Sequence, residues 1–177
     1  MMREFFSEAG LTRVWINTLP VPKFEFDTES AISFRVPVDA CCMLGEIFVA
    51  VERFYSTGPK LVYGFLGCTY ELISQAGLGV VVGFNDLDVP CLNHDLANSA
   101  GVSILGLDER SAQAVGSAIK IKVKDLMHDL PSGNLVINYA ISSEIGSSPN
   151  LFRDLAEYLV DQVVLEVKRL QLLGLSK

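Results

Sequence analysis

The chain has 177 residues, of which 50% are apolar and 20% are charged, and its formal net charge is −7 with a pI of about 4.8. This length is typical of a single domain, spanning 1–177, that buries a core without disulfides or a structural metal. The acidic balance argues against nucleic acid as a partner, and no run reaches the ~18 apolar residues of a membrane span.

The four cysteines, Cys41, Cys42, Cys68 and Cys91, show no C-x-x-C spacing, which argues against a zinc framework or a disulfide ladder. The first residues contain no apolar signal-peptide region. Both features predict reduced thiols in a cytoplasmic protein. The surplus of apolar residues predicts a subunit interface beside a large core, and therefore a homo-oligomer, a dimer or higher.

The first third of the chain begins with a short lead-in of helical character over residues 1–10 and a strand over 11–18. Apolar residues then alternate over 23–27 and 32–38, which predicts two half-buried strands. Pro37 indicates that the second of these lies at a sheet edge, because proline cannot donate to a ladder.

Residues 39–55 change to helical spacing, and a second helix is predicted over 59–73. Gly64 and Gly67 weaken the second helix, since glycine costs about 1 kcal/mol relative to alanine inside a helix. The alternative for this stretch is a strand over 61–66 followed by a short helix.

The run 78–84 contains three successive valines and predicts a central strand buried on both faces. A short helix over 92–98 and a strand over 102–107 follow. Residues 109–129 fit a helix, although 119–124 also alternate as a strand would.

The last elements are a strand over 135–142 and a long helix over 149–173, introduced by a serine cap and a proline in its first turn. The sequence therefore predicts an α/β or α+β fold. It has a mixed sheet of about five or six strands, packed by three to four helices, with a long C-terminal helix.

The loop after the run 78–84 holds the densest set of reactive side chains, namely Asn85, Asp86, Asp88, Cys91, Asn93, His94 and Asp95. Cys91 and His94 lie one helical turn apart, and a thiolate beside an imidazole is an activated nucleophile. Asp95 or another carboxylate would orient the imidazole. The structural alternative is that these residues form turns, caps and buried packing.

The same loop offers ligand-binding groups. Asn85, Asp86 and Asp88 follow the carboxyl end of a buried strand, where ligands often bind. Two carboxylates two residues apart suit a hard cation, but no metal is assigned. The chain has only two histidines, which excludes a multi-histidine metal site within one copy. Gly77, Gly79 and Gly83 flank a strand and do not form a dinucleotide-binding loop.

A second polar group precedes the last helix. Glu144 is a candidate acid or base, and Ser147 and Ser148 are candidate anion ligands at a helix N-terminus, with capping as their structural alternative. If the strands over 78–84 and 135–142 are parallel and their ends coincide, this group faces the loop 85–95.

The sequence thus favours a small-molecule (metabolite) binding protein or a small enzyme that acts as a homo-oligomer, with its site at residues 85–95. The predicted catalytic residues are Cys91, His94, Asp95 and Glu144, and the predicted binding residues are Asn85, Asp86, Asp88, Ser147 and Ser148. No cofactor is identified. The alternative is a non-catalytic regulatory or assembly module without a small-molecule site.

Overall fold

A computed structural model describes residues 1–7, 10–18, 20–38, 45–74, 76–86, 89–91 and 94–173. The elements in chain order are β1 (Met2–Ser7), β2 (Gly10–Ile16), β3 (Ile32–Val36), β4 (Gly45–Thr57), β5 (Lys60–Leu72), β6 (Leu78–Val82), α1 (Asp95–Ser99), β7 (Ser103–Leu105), α2 (Glu109–Asp125), β8 (Gly133–Ser143) and α3 (Pro149–Leu172). Within these ranges, no helix has the length and apolar character that a membrane crossing requires.

The eight strands found among the described residues join one sheet, in the order β1-β2-β4-β5-β8-β6-β3, with β7 paired to the end of β8. The pairs are antiparallel except for β6 and β8, which run parallel. The fold is therefore of the α/β type, with a mixed sheet and a long C-terminal helix, as the sequence predicts. The expected five or six strands were too few.

The sequence pattern missed β1, β4 and β5, and it predicted helices for β4 and β5. They form a hairpin of two 13-residue strands. The helical predictions for 45–55 and 60–72 are wrong. The alternative strand over 61–66 is correct, but the short helix expected after it is not, because β5 continues to Leu72. Residues 39–44 of the first predicted helix lie outside the described part of the chain.

The error has a physical cause, because both faces of this hairpin are covered. Ile47 and Val49 face one side of the sheet and Ala50 faces the other, and all three are buried. Apolar residues on both faces remove the alternation that marks a half-buried strand. What remains resembles the three- and four-residue spacing of a helix.

Three smaller predictions also fail. Residues 2–7 form the edge strand β1 rather than a helical lead-in, and 23–27 form an extended segment outside the sheet. Strand β6 lies next to the edge strand β3 and is not central. Val80 and Val82 are buried while Val81 is only half-buried, so one face of β6 is fully covered.

The helices α2 and α3 follow the predictions more closely. Asp108 caps α2 by accepting from the backbone N–H of Ser111 at 2.9 Å, and the disputed residues 119–124 are helical. Ser148 caps α3 in the same way, with Pro149 in its first turn. Both helices pack on one side of the sheet, which we call the helix face.

The opposite side of the sheet, the crossover face, is partly covered by the segment 84–102 that leads from β6 to β7. A smaller apolar cluster fills this layer, and its buried members are Trp15, Val21, Ala50, Tyr63, Phe65, Cys91, Ala97, Tyr139 and Ile141. The sheet therefore lies between two layers of unequal extent. The long helix α3 belongs to the larger layer, and the short helix α1 belongs to the smaller one.

Helix α3 packs closely on β5 because Gly64 leaves room for it. A Cβ at Gly64 would lie 2.9 Å from Leu151 Cδ2 and 3.0 Å from Leu155 Cδ1. Leu155 is fully buried, whereas Leu165 on the same helix is 58% exposed. We expect Leu155→Ala to lower the free energy of unfolding by about 2–5 kcal/mol, since it leaves a cavity between helix and sheet.

Urea unfolding would measure this loss, and Leu165→Ala is the matched control, expected to change stability by less than about 0.5 kcal/mol. Equal losses in the two variants would contradict the orientation of α3 on the sheet.

Candidate functional site

The loop 85–95 is divided by the structure into two parts with different surroundings. Asn85, Asp86 and Val89 line a cleft at the surface, whereas Cys91 and His94 are buried against the crossover face. Asp88 and Asn93 lie outside the described residues. The predicted constellation is therefore split between two places.

The cleft has a volume of about 820 Å³ and lies between the extended segment 23–30 and the loop after β6. The described residues that line it are Lys23, Phe24, Glu25, Phe26, Asp27, Ser30, Phe84, Asn85, Asp86, Val89 and Leu105. Its position beyond the carboxyl end of a strand is where α/β sheets commonly bind ligands. Of the predicted binding residues, Asn85 and Asp86 lie here.

Asn85 holds the loop in place at the floor of the cleft. Its backbone N–H donates to Leu107 O at 2.9 Å, and its side-chain Nδ2 donates to Leu105 O at 3.2 Å. Its Oδ1 lies over Gly106, whose φ of +113° and lack of a side chain make room for it. Asp86, by contrast, is exposed at the mouth.

One wall of the cleft is aromatic. Phe24 and Phe26 pack with their ring centroids 5.7 Å apart, and the Phe26 ring lies over Gly83, where a Cβ would overlap it. The Phe24 backbone N–H donates to Asn138 O at 3.1 Å, which ties this segment to β8. The wall is thus fixed to the sheet although its residues are not part of a strand.

The buried part of the loop brings His94 to a carboxylate that the sequence analysis missed. His94 Nδ1 lies 3.2 Å from Glu52 Oε1, and the hydroxyl of Tyr63 donates to the same oxygen at 2.9 Å. Glu52 is fully buried and His94 is 5% exposed. The predicted partner, Asp95, is exposed in the first turn of α1.

Strand register places Glu52 at the end of a row of alternating charges. Glu4 lies opposite Arg13, and Arg13 lies opposite Glu52, on three adjacent strands. Arg13 Nε donates to Glu4 Oε1 at 2.6 Å, and its NH1 is 3.6 Å from Glu52 Oε2. The row runs from the exposed edge of the sheet into the apolar cluster of the crossover face.

Burial opposes charge on both members of the Glu52–His94 pair. It raises the pKa of Glu52 from 4.5 to about 7, although Tyr63 and Arg13 act in the opposite direction. Burial, together with the nearby Arg13, lowers the pKa of His94. Within the described residues, Glu52 Oε2 and His94 Nδ1 have no hydrogen-bond partner. The pair is therefore a costly group that favours its uncharged forms.

Cys91 shares this layer with His94. Its side chain is 8% exposed in the cluster that contains Tyr63 and Ala97, and its backbone N–H donates to Ser103 O at 2.8 Å. Cys91 and His94 do not line the cleft that Asn85 and Asp86 line. Their catalytic roles, and that of Asp95, stay predictions.

The second predicted group forms a separate depression of about 260 Å³ around Glu144, Ser147 and Ser148. The hydroxyl of Ser147 donates to Tyr63 O at 2.6 Å, and Ser148 caps α3. Ser148 thus has the capping role that was the alternative, whereas Ser147 does not cap the helix and instead joins the loop to Tyr63. The roles of these three residues in binding or catalysis stay predictions.

This group does not meet the cleft, although β6 and β8 are parallel as the sequence analysis required. Val82, the last residue of β6, pairs with Ile137, and β8 continues to Ser143. The two strand ends therefore do not coincide. Strand β7 pairs with the extra length of β8 and lies between Glu144 and the loop.

The residues that sequence reasoning missed are Glu52, Tyr63 and Arg13 in the buried cluster, and the aromatic wall of the cleft. One signal for Glu52 was present. If β4 is treated as a strand, Phe48, Ala50 and Phe54 lie on one face, and Glu52 stands on that face between Ala50 and Phe54. A charge in the middle of an apolar strand face marks a buried polar site.

Known protein families, curated proteins and solved structures were compared with this chain, and none of them matches it. The function is therefore inferred from the site itself.

The raised pKa of Glu52 gives stability a definite dependence on pH. The native state favours the protonated carboxyl, so its stabilising contribution is present below about pH 4.5 and is lost as the pH rises to about 7. Between about pH 5 and pH 8, we expect the wild type to lose on the order of 3 kcal/mol more than Glu52→Gln.

Urea unfolding at each pH would measure this difference, with the emission of Trp15, the only tryptophan, as the signal. The lowered pKa of His94 acts in the opposite direction below pH 6.5, and because His94 contacts Glu52, the comparison is repeated in a His94→Gln background to remove its contribution. Glu46→Gln, at an exposed position of the same strand, is the control. A pH dependence unchanged in Glu52→Gln would show that Glu52 is ionised in the native state.

Proposed function

We propose that this protein binds a small molecule in the cleft between segment 23–30 and the loop after β6. The observation that carries the proposal is the cleft of about 820 Å³ beside Asn85 and Asp86. Small-molecule sites are commonly clefts of about 300–1,000 Å³ with apolar walls and a few polar groups. This cleft has both kinds of lining.

The construction of the cleft supports the same conclusion. Its floor is held by Asn85 and its aromatic wall by the Phe24 N–H bond to β8. A site of this kind is largely formed before the ligand arrives, which lowers the cost of binding. Exposed Asp86 and Val89 stand at the opening, where a ligand enters.

The geometry favours binding over thiolate catalysis. Cys91 and His94 lie in the buried layer, and Glu144 lies beyond β7, so the four predicted catalytic residues do not surround one reacting atom. Catalysis by this set would require the segment 89–95 to leave the crossover face. Binding requires no such change.

We further propose that the protein acts in the cytoplasm as a homo-oligomer. Cys68 and Cys91 are buried thiols, as expected of a reducing compartment. Strand β1 is an edge strand that exposes Met2, Phe5 and Phe6, the last at 77%. Exposed apolar edge strands pair readily with other chains, and a second copy of β1 would cover this one.

Filling the cleft should abolish binding. A thermal-shift screen of a metabolite panel would identify compounds that stabilise the wild type, because a ligand that binds the native state raises its stability. We expect Val89→Trp to lose the shifts, since Val89 lines the cleft and is 48% exposed. Val102→Trp is the matched control, on the same segment, 62% exposed and outside the cleft lining.

Binding at the cleft is refuted if no compound shifts the wild type, or if Val89→Trp responds as the wild type does.

The oligomer has its own test. Light scattering after size-exclusion chromatography should show a dimer or larger species, and Phe6→Ser should shift it toward the monomer by removing apolar contact area. Ile145→Ser, at a position 72% exposed and away from β1, should leave the mass unchanged. A wild type that remains monomeric at high concentration would rule out the homo-oligomer.

A further inference from the structure

We propose that the ligand of the cleft is an organic cation, in which a protonated nitrogen is joined to a flat apolar body. This inference rests on the proposed binding function and specifies its substrate class. It follows from the charge, the hydrogen-bonding groups and the aromatic wall of the described cleft residues.

The charge of the cleft is negative. Its described lining includes the carboxylates of Glu25, Asp27 and Asp86 and the single ammonium of Lys23. Lys23 Nζ lies 5.9 Å from the ring centroid of Tyr139, a residue outside the lining. With three carboxylates against one ammonium in the described lining, the carboxylates dominate the potential within the cleft.

Asp27 is held in its charged form by its own turn. Its carboxylate accepts the backbone N–H of Glu29 at 3.0 Å and the hydroxyl of Ser30 at 2.7 Å. These two hydrogen bonds lower the pKa of Asp27. The aspartate therefore presents a negative charge to the cleft across the neutral pH range.

The hydrogen-bonding groups of the cleft are mostly acceptors. The hydroxyl of Ser30 is used by Asp27, and the Asn85 side-chain N–H donates to Leu105 O. Among the side chains described in the lining, three carboxylates remain to accept from a ligand. A ligand that matches them must bring N–H donors, which a protonated amine or guanidinium does.

The aromatic wall specifies the rest of the ligand. Phe24, Phe26 and Phe84 all line the cleft, and Phe26 and Phe84 are half-buried, so parts of both rings face solvent. Phenyl rings stack with flat apolar groups and attract cations to their faces. An anion such as a phosphate would meet three carboxylates against one ammonium, and no helix N-terminus lies among the described lining residues.

Three probes of similar shape separate charge from size, namely phenethylammonium, 2-phenylethanol and 3-phenylpropionate. Ligand-detected NMR titration of the full chain would measure their affinities. We expect the ammonium probe to bind about tenfold or more tightly than the alcohol, and the carboxylate probe to bind least. Higher salt should lower the affinity for the ammonium probe and leave the affinity for the alcohol unchanged.

Single substitutions then test the carboxylates. Asp86→Asn and Asp27→Asn should each lower the affinity for the ammonium probe about three- to tenfold and leave the affinity for the alcohol unchanged. Glu29→Gln removes a neighbouring carboxylate that does not line the cleft, so it should change the affinity for neither probe. Val89→Trp should abolish binding of both probes, which places them in the cleft.

Equal or tighter binding of the alcohol or the carboxylate probe would overturn the inference of a cationic ligand, while binding that is lost in Val89→Trp would still support the cleft as a site. If none of the three probes binds, the inference also fails, and the metabolite screen alone then decides the proposed function.

Discussion

The structure depends on the hairpin of β4 and β5, whose two 13-residue strands form the middle of the sheet and are covered on both faces. Apolar groups buried on both sides exclude water from the middle of this hairpin. Gly64 and Gly67 suit it, because a Cβ at Gly64 would press on α3 and one at Gly67 would lie 2.9 Å from Ala50 Cβ. These two glycines, which would weaken a helix, allow the helix and the neighbouring strand to pack closely on this hairpin.

Tyr63 shows how this hairpin connects the two faces. Its hydroxyl donates to Glu52 within the crossover face, and its backbone carbonyl accepts from Ser147 in the loop before α3. One strand residue therefore fixes the buried carboxylate and the entry of the long helix. Loss of the Tyr63 side chain would leave Glu52 with fewer partners in a site that water does not reach.

The buried Glu52–His94 pair and the surface cleft have different consequences for the protein. The pair reduces stability at neutral pH, and it contacts Trp15 and Phe65 through the His94 ring, with centroid separations of 6.2 and 5.9 Å. The cleft is open and carries charge at its mouth, which suits reversible binding. Segment 84–102 joins them, since its first residues line the cleft and its later residues cover the pair.

The sequence by itself determined two kinds of element, namely strands that are buried on one face only and helices whose first residues include a capping side chain. The caps at Asp108 and Ser148 with Pro149 located α2 and α3, and alternation located β3, with Pro37 marking its edge position. The sequence also indicated a polar loop after β6, because a short apolar run is followed there by Asn85 and Asp86, and both residues line the cleft. These signals are local, so the sequence contains them directly.

Only the tertiary structure decided the rest. Glu52 reaches His94 through strand pairing between distant residues, and the pattern of β4 imitates a helix because both its faces are buried. Glu144 is kept from the cleft by the extra length of β8 beyond β6, a matter of register that no local pattern encodes. The aromatic wall comes from an extended segment that a single N–H bond to β8 holds in place.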